Sequence, residues 1–451
     1  MHKKLIVLAF ILLGAAAVAA YGPWSPGSLS SGKKQNVLII LIDTLRADHL
    51  GHHGYERDTS PNLDKFASEN MNFSYGVSPS AWTPPSVASL FTGMYASVHG
   101  HMPLKEGKGS KFSKLDDSFT TLAEVMKEAG YDTAAISANP LVSEKFGLHQ
   151  GFNLFVSPGR ELAEKVNART LKYLNDLRPK DKPFFLYVHY MDPHFPYGAP
   201  DQYKDMFSGP IKLEGRFKGR QYGKRELRYM GRYDGEIRYV DKYIGEIFSW
   251  FKENNLYDDT TIFVVSDHGE QFYERGHLGH ADRLYSEETR VPFIVKAAGR
   301  REKIDTPVSL VDVFPTVLDI TGIKKPNPVN GVSVVSELDK RKREGVLTEV
   351  IRHWNQKAFI RGDGRKILID YPMELGLLLS EFKNIRFQQI FDTNTDFAEV
   401  APLTDESLLS QLSHEFLELY ASVIKLRSQY SVGETAADEE TINQLKTLGY
   451  L

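Results

Sequence analysis

The chain contains no cysteine among its 451 residues, and this absence is the first feature that limits its chemistry. Without cysteine there is no disulfide bond and no thiol nucleophile. A chain of this length buries enough apolar surface to fold without such cross-links. Small disulfide-stapled folds and cysteine-dependent enzymes are therefore excluded.

An excess of charge of one sign is missing as well. The net charge at pH 7 is −3, and no block of basic residues with interleaved aromatic side chains occurs. Surfaces that bind nucleic acid need clustered lysines and arginines to contact the phosphates. We therefore predict no nucleic-acid partner.

The N-terminus has the pattern of a secretory signal. Two lysines precede an apolar run over residues 5–20, which ends in small residues that suit a signal peptidase. The run is slightly short for a membrane span, so a cleaved signal and a retained anchor both stay open. We predict that residues 1–20 direct export to the periplasm or the cell exterior, with membrane attachment through residues 5–20 as the alternative. Residues 21–35 then form a linker.

Five apolar runs of the body are continuous rather than alternating, which is typical of strands buried on both faces of a parallel sheet. Segments with helical spacing lie between them, as in residues 233–248, where apolar side chains recur every three or four positions. This alternation of strands and helices predicts an open α/β sheet. The five runs are "NVLIILID", "YDTAAISAN", "KPFFLYVHYMDPH", "TTIFVVSDHGE" and "RVPFIVKA".

The character of the sequence changes after Pro326 and Pro328. Short strand-like pieces follow, "KAFIRGDGRKILID" and "RFQQIFD", and then a long amphipathic helix around "SLLSQLSHEFLELYASVIKL". We predict a catalytic α/β domain over residues 36–330 and a smaller α+β subdomain over residues 331–451.

Two of the predicted strands end on side chains that can bind a metal. The first ends on Asp43, and "TTIFVVSDHGE" includes Asp267 and His268. Because ligands in open α/β sheets bind outside the carboxyl ends of the strands, we expect these side chains to meet. Carboxylates with one imidazole suit Mn²⁺, Zn²⁺ or Mg²⁺ better than Ca²⁺. The alternative is structural, with Asp43 as a helix cap and "SDHG" as a turn.

The stretch "SAWTPPSVASLFTG" predicts a helix that begins beside this site. Thr83 has the residue type of an N-cap, Pro84 suits the first helical position, and Gly93 suits the end. The N-terminus of a helix favours a bound anion, which the Thr83 hydroxyl would face. Ordinary helix capping is the alternative interpretation.

Seven motifs follow one another along the chain from about residue 36 to the C-terminus: "IDTLRADHLGHHGYERDTSPNLDKFASENMNF", "TPPSVASLFTGMYASVHG", "EVMKEAGYDTAAISAN", "HYMDPHFPY", "SDHGEQFYERGHLGHADRLYSEETRVPFIV", "SLVDVFPTVLDITGI" and "INQLKTLGYL". In this order they make the chain similar to the sulfatase-like proteins of the alkaline phosphatase superfamily. The resemblance implies a large mixed, mostly parallel sheet sandwiched by helices. It also implies one divalent ion, with Mn or Zn favoured over Mg or Ca, bound by Asp43, Thr83, Asp267 and His268.

The chain departs from the sulfatase pattern at the nucleophile. Sulfatases carry Cys-x-Pro-Ser-Arg, whose cysteine becomes formylglycine, whereas this sequence reads "TPPSV" from Thr83. Threonine cannot become formylglycine. The usual pair of aspartates after the first strand is replaced by Asp43-Thr44. The remaining set resembles the phosphoryl-transfer branches of the superfamily, which include phosphoethanolamine transferases and lipoteichoic acid synthases.

Four further residues take roles from the same resemblance. His194, in "DPHFPY", matches a histidine that contacts the esterified oxygen and protonates the leaving group. His280 matches a residue placed against the anion, and His277 and Asn139 are further candidate contacts. Each of the four is a surface or turn residue in the alternative interpretation.

The leading hypothesis is an exported, single-metal hydrolase of a phosphate or phosphonate ester, in which Thr83 is transiently phosphorylated. Its substrate is an anionic ester, either a small molecule or a glycan- or lipid-linked group. The alternatives are sulfate ester hydrolysis without formylglycine, transfer of a phosphoryl-linked head group, and an inactive glycan-binding relative.

Overall fold

The computed structural model describes residues 34–447 apart from 102–110, 210, 212–221, 298, 337–342, 352–354, 372–386, 432, 437–442 and 444–445. The predicted signal over residues 1–20 and nearly all of the predicted linker lie outside the described residues. Gln35–Leu451 forms one compact unit. Among the described helices, none combines the length and the apolar character needed to cross a membrane.

A nine-stranded sheet forms the centre of this unit. Its strand order is β8-β2-β7-β6-β1-β5-β3-β4, and β9 pairs with β2 at the edge. Strand β7 is antiparallel to both β2 and β6, and the other pairings are parallel. The strands are β1 (Asn36–Ile42), β2 (Met71–Val77), β3 (Asp132–Ser137), β4 (Leu154–Val156), β5 (Phe184–Tyr190), β6 (Thr260–Val265), β7 (Arg290–Lys296), β8 (Glu302–Ile304) and β9 (Val308–Ser309).

Helices connect and cover these strands. The α-helices are α1 (Pro61–Glu69), α2 (Thr83–Thr92), α3 (Ala96–His99), α4 (Leu122–Glu128), α5 (Ala163–Lys172), α6 (Asp201–Lys204), α7 (Lys224–Glu253), α8 (Ser286–Thr289), α9 (Val313–Thr321) and α10 (Glu406–Ile424). Tyr173–Leu177 extends α5 as a π-helix. Single 3₁₀ turns occur at Ala47–His49, Gly51–His53, Glu144–Phe146, Leu310–Asp312 and Arg427–Gln429.

Both faces of the sheet are buried, as its continuous apolar runs predict. Every residue of β1 and β5 is buried. On one face, Leu38 shares a core cluster with Ile237 and Ile244 of α7. On the other face, the ring of Phe91 in α2 lies 4.9 Å from that of Tyr187 in β5. The apolar spacing seen over residues 233–248 belongs to a longer helix, Lys224–Glu253.

The C-terminal part adds a second, antiparallel sheet of four strands, with α10 packed against it. Lys366 links this sheet to the chain before α8, because its Nζ, which lies 2.9 Å from Glu399 Oε1, also donates to the carbonyl of Leu284. The predicted fold class, a large mixed, mostly parallel sheet sandwiched by helices with a smaller C-terminal α+β subdomain, is confirmed. The boundary near residue 330 stays a prediction. The strands are β10 (Gly345–Ile351), β11 (Asn355–Arg361), β12 (Arg365–Tyr371) and β13 (Phe387–Asp392).

Two short two-stranded ladders complete the described secondary structure. Lys111–Lys114 pairs with Gly433–Ala436, and Gln271–Phe272 pairs with Leu278–Gly279. The second ladder forms the loop that follows β6, so it lies at the carboxyl edge of the large sheet. That edge carries the candidate site.

Candidate active site

The carboxyl ends of four neighbouring parallel strands bring the polar side chains together. Asp43 follows β1, and Asp267 lies two residues after the end of β6. Asn139 follows β3, and His189 lies near the end of β5. Because these strands are adjacent and parallel, their ends meet at one edge, where open α/β sheets bind ligands.

Each of the two aspartates has one oxygen bound by donors and one oxygen left bare. Asp43 Oδ2 accepts from Asn139 Nδ2 at 2.5 Å and lies 3.1 Å from His189 Nε2. Asp267 Oδ1 accepts from the backbone N–H groups of Thr44 at 3.2 Å and His268 at 3.0 Å. Asp43 Oδ1 and Asp267 Oδ2 are buried and accept no hydrogen bond from the described residues. A buried carboxylate oxygen without a donor is unfavourable unless a cation binds it.

His268 completes a candidate cation site with these two oxygens. Its Nδ1 lies 2.9 Å from the carbonyl of Gly269, so Nδ1 is the donor and the lone pair of Nε2 faces the aspartates. Nε2 lies 3.7 Å from Asp43 Oδ1 and 3.4 Å from Asp267 Oδ2. All three ligand atoms lie within 4.8 Å of one another. Two carboxylate oxygens and one imidazole nitrogen suit a divalent transition metal.

The electrostatics of the two aspartates differ. Burial favours the neutral form of Asp43, but the hydrogen bond from His189 and the charges of His194, His189 and His268 hold its pKa at about 2. Burial and the nearby charge of Asp43 raise the pKa of Asp267 to about 6. Of these two carboxylates, Asp267 is therefore the one whose negative charge is compensated less by neighbouring groups.

The Thr83 hydroxyl lies beside the candidate cation site. Its Oγ1 is 3.1 Å from His268 Nε2 and accepts from Asn139 Nδ2 at 3.3 Å. Thr83 is the first residue of α2, and the N-cap position belongs to Trp82, whose backbone is extended. The expectation that Thr83 caps this helix is therefore wrong. Its side chain takes partners from the site instead of the N–H groups of the first helical turn.

Two further histidines line the same cluster. The ring of His280 lies 4.3 Å from that of His268 and 4.9 Å from that of His194. Both His194 and His280 are thus brought into the cluster around His268. Burial lowers the pKa of His194 to about 4, so its imidazole is neutral near pH 7 in the free protein.

Comparison with known proteins assigns this chain to a family. The protein-family model for sulfatases matches residues 35–323, which is more than half of the chain. The chain belongs to the sulfatase family. It is 24% identical over 377 residues to the uncharacterized sulfatase YidJ of Escherichia coli strain K12, covering 71% of this chain and 74% of that protein.

Solved structures share the sulfatase fold. BT4656, in complex with its substrate D-glucosamine-2-N,6-O-disulfate, has a TM-score of 0.71 and 17% identity and covers 88% of this chain and 99% of that one. The phosphonate monoester hydrolase of Agrobacterium radiobacter has a TM-score of 0.67 and 19% identity, with coverages of 90% and 100%. Members of the family generally use a divalent metal, and Asp43, Asp267 and His268 are the candidate ligands in this sulfatase-family chain.

One of the sequence-derived candidates lies outside the cluster. His277 Nε2 is 3.2 Å from Asp282 Oδ2, and the His277 side chain is 37% exposed. No hydrogen bond or ring contact joins it to the cation site within the described parts of the chain. Its placement on the solvent side follows from its position in the tip of the Gln271–Gly279 ladder, ahead of the buried His280.

Two residues of this sulfatase-family site escape sequence reasoning, His189 and Glu270. His189 connects Asp43 to the hydroxyl of Tyr187, which lies 3.0 Å from its Nδ1. Its signal was a histidine inside the otherwise apolar run "FFLYVHY". Glu270 follows "SDHG" directly, and its only signal was a charged residue that turned out to be fully buried.

Proposed function

We propose that this sulfatase-family protein is an exported, metal-dependent hydrolase of phosphate or phosphonate esters in which Thr83 is the nucleophile. The observation that carries the proposal is the position of the Thr83 hydroxyl, 3.1 Å from His268 Nε2, the atom that also lies 3.7 Å and 3.4 Å from the two bare carboxylate oxygens. A hydroxyl needs activation before it attacks an ester, and a site for a divalent cation is the activating group that lies next to it.

Asp43, Asp267 and His268 would bind the cation. Bound there, a divalent metal lowers the pKa of a neighbouring hydroxyl and offsets negative charge on the ester. Thr83 Oγ1 attacks phosphorus, its proton leaves to solvent, and the bond from phosphorus to the leaving oxygen breaks. Water then attacks the phosphorus of the phosphothreonine, the bond from phosphorus to Oγ1 breaks, phosphate or phosphonate leaves, and Oγ1 takes up a proton. Asn139 stabilises the orientation of Thr83 throughout, because it donates to both Thr83 Oγ1 and Asp43 Oδ2.

His194 is the group that we assign to the leaving oxygen. Its pKa of about 4 makes it neutral in the free protein near pH 7. The negative charge of a bound ester raises the pKa of a nearby imidazole. His194 therefore takes up the proton together with the substrate and can then donate it to the departing oxygen.

The nucleophile favours phosphorus over sulfur. A formylglycine hydrate expels sulfate by collapsing back to its aldehyde, so no water has to attack sulfur. Threonine has no such route, whereas phosphothreonine is an ordinary covalent intermediate that water resolves. The fold shared with a phosphonate monoester hydrolase supports this choice. Sulfate ester hydrolysis is the second candidate, because BT4656 shares the fold and binds a disulfated glucosamine.

A panel of four 4-nitrophenyl esters tests the proposal: phosphate monoester, phosphate diester, phosphonate and sulfate. The metal-loaded wild type should hydrolyse phosphorus esters and form a covalent adduct on Thr83, identified by accurate mass and peptide mapping. Thr83→Ala should lose at least about 10²-fold in kcat, since it removes the nucleophile. Thr92→Ala, the same change at the other end of α2, is the matched control.

Two outcomes would contradict the proposal. Turnover of phosphorus esters that survives Thr83→Ala would remove threonine from the mechanism. Turnover of the sulfate ester alone would support the second candidate function, sulfate ester hydrolysis.

A further inference from the structure

Glu270 bridges two parts of the candidate active site. Its side chain is fully buried, two residues after His268. Oε1 lies 3.1 Å from His280 Nδ1, and Oε2 accepts from the backbone N–H of Phe195 at 3.2 Å. Each oxygen of one carboxyl therefore has a different partner in the site.

Both partners lead to histidines that face the substrate in the proposed reaction. His280 packs its ring against His268 and His194. Phe195 follows His194 in the chain, so its N–H belongs to the turn that carries His194. The carboxyl of Glu270 thus connects the histidine placed against the anion with the turn that bears the histidine of the leaving group.

The turn at His194 is held from its other side by Arg160. The Arg160 guanidinium donates to the carbonyl of His194 at 2.9 Å and to that of Phe195 at 3.2 Å. The carbonyls of this turn and the Phe195 N–H group are therefore bound from two different elements, by Arg160 and by Glu270. Such a clamp fixes the backbone, and with it the position from which the His194 side chain reaches an ester.

We propose that Glu270 is a positioning residue that orients His280 and the His194 turn for the reaction. Its Oε1 accepts from His280 Nδ1–H and so fixes the orientation of that ring in the site. Its Oε2 fixes the Phe195 N–H and so the distance from His194 to the leaving oxygen. The proposal rests on the function proposed above, because it needs an anionic ester between these histidines.

Glu270→Gln separates positioning from simple packing. Glutamine has almost the same shape, and its carbonyl oxygen can still accept from the Phe195 N–H. Its other end is an amide, which donates and therefore requires His280 Nδ1 to be the acceptor. The substitution thus keeps the packing and reverses the tautomer of His280. A merely structural carboxyl would tolerate this exchange.

The experiment uses the full chain loaded with metal and compares wild type, Glu270→Gln and Glu270→Ala. Glu288→Gln is the matched control, because Glu288, in α8, is another buried carboxyl, and it accepts from the backbone N–H groups of Asp282 and Arg283. The measurements are kcat and KM on phenyl and 4-nitrophenyl phosphates, metal content, thermal midpoint, and ¹⁵N chemical shifts of labelled histidines.

Glu270→Gln should keep the metal content and the thermal midpoint, while kcat falls about 10- to 100-fold. The loss should be larger for the phenyl ester, because its poorer leaving oxygen depends more on the proton from His194. One histidine should change tautomer in the ¹⁵N spectrum of Glu270→Gln, and none in that of Glu288→Gln. Glu270→Ala should lose at least as much activity.

An equal loss on both esters, or a loss that follows metal content, would overturn the proposal. An unchanged histidine spectrum in Glu270→Gln would overturn it as well, even if the protein hydrolysed no ester at all. Absence of activity in the wild type together with the expected tautomer change would instead contradict the proposed function and leave the orientation of His280 by Glu270 established.

Discussion

Replacement of Asp267 by asparagine should stabilise the metal-free protein. The pKa of Asp267 is raised from 3.8 to about 6 by its burial and by the charge of Asp43. At about 1.4 kcal/mol per pKa unit, the ionised side chain costs the folded state about 3 kcal/mol. Because the folded state binds this proton more tightly than the unfolded state, the whole cost applies above pH 6 and disappears as the pH falls from 6 towards 3.8.

Asparagine removes the charge and keeps the favourable contacts. Its Oδ1 can still accept from the N–H groups of Thr44 and His268. Its amide can then donate to the bare Asp43 Oδ1, which needs a donor. We expect the thermal midpoint to rise by about 3 °C at pH 8 in a chelator, given the unfolding entropy of a 451-residue chain.

Metal should reverse this order of stability. Wild type should gain about 4.1 kcal/mol at a free metal concentration of about 1,000 times Kd, which exceeds the advantage of about 3 kcal/mol that Asp267→Asn has without metal. Asp267→Asn should gain almost nothing, because one ligand oxygen has become an amide nitrogen.

The assay is differential scanning calorimetry of both proteins at pH 5 and pH 8, in a chelator and with Mn²⁺ or Zn²⁺. At pH 5 the advantage of Asp267→Asn should shrink, because wild-type Asp267 is then protonated. Asp312→Asn is the control. Asp312 accepts from Arg343 at 3.1 Å, so removal of its charge should destabilise the protein. A metal-free Asp267→Asn protein that melts below wild type would refute the reasoning, and so would an undiminished gain from metal.

Three further changes test neighbouring parts of the structure. His189→Phe removes a donor to Asp43 and should weaken metal binding about 10- to 100-fold in a calorimetric titration, with unchanged circular dichroism. Gly269→Ala adds a Cβ that overlaps the backbone carbonyl of Glu287, so soluble expression should fall and the protein that folds should unfold at lower urea. Lys366→Met leaves Glu399 buried without its cation and should cost about 3–5 kcal/mol in urea unfolding, while the folded fraction binds metal normally.

The cation site could be predicted because its residues stand where strands end. Asp43 and Asp267 each follow a continuous apolar run, and parallel strands place such residues at one edge of the sheet. His268 is adjacent in sequence, so the same argument includes it. The prediction needed only the direction of the strands and not their order, which the sequence does not contain.

The residues that sequence reasoning missed depend on contacts with residues that are distant in the sequence. His189 lies within β5, where its neighbours are apolar, and its role depends on the register that places it beside β1. The contacts of Glu270 with His280 and Phe195 depend on how the loop after β6 folds over the turn after β5. The error at Thr83 has a different cause, because a cap depends on backbone angles that a one-residue shift changes completely.

The two aspartates differ in their hydrogen-bond partners, and this difference favours a cation between them. Asp43 receives His189 and Asn139, so its charge is compensated by the protein itself. Asp267 receives the backbone N–H groups of Thr44 and His268 on Oδ1, and the nearby charge of Asp43 opposes its ionisation. Without a cation, this arrangement loses free energy through burial and repulsion. A divalent ion held by Asp43, Asp267 and His268 would recover both losses at once, next to Thr83 Oγ1, which lies 3.1 Å from His268 Nε2.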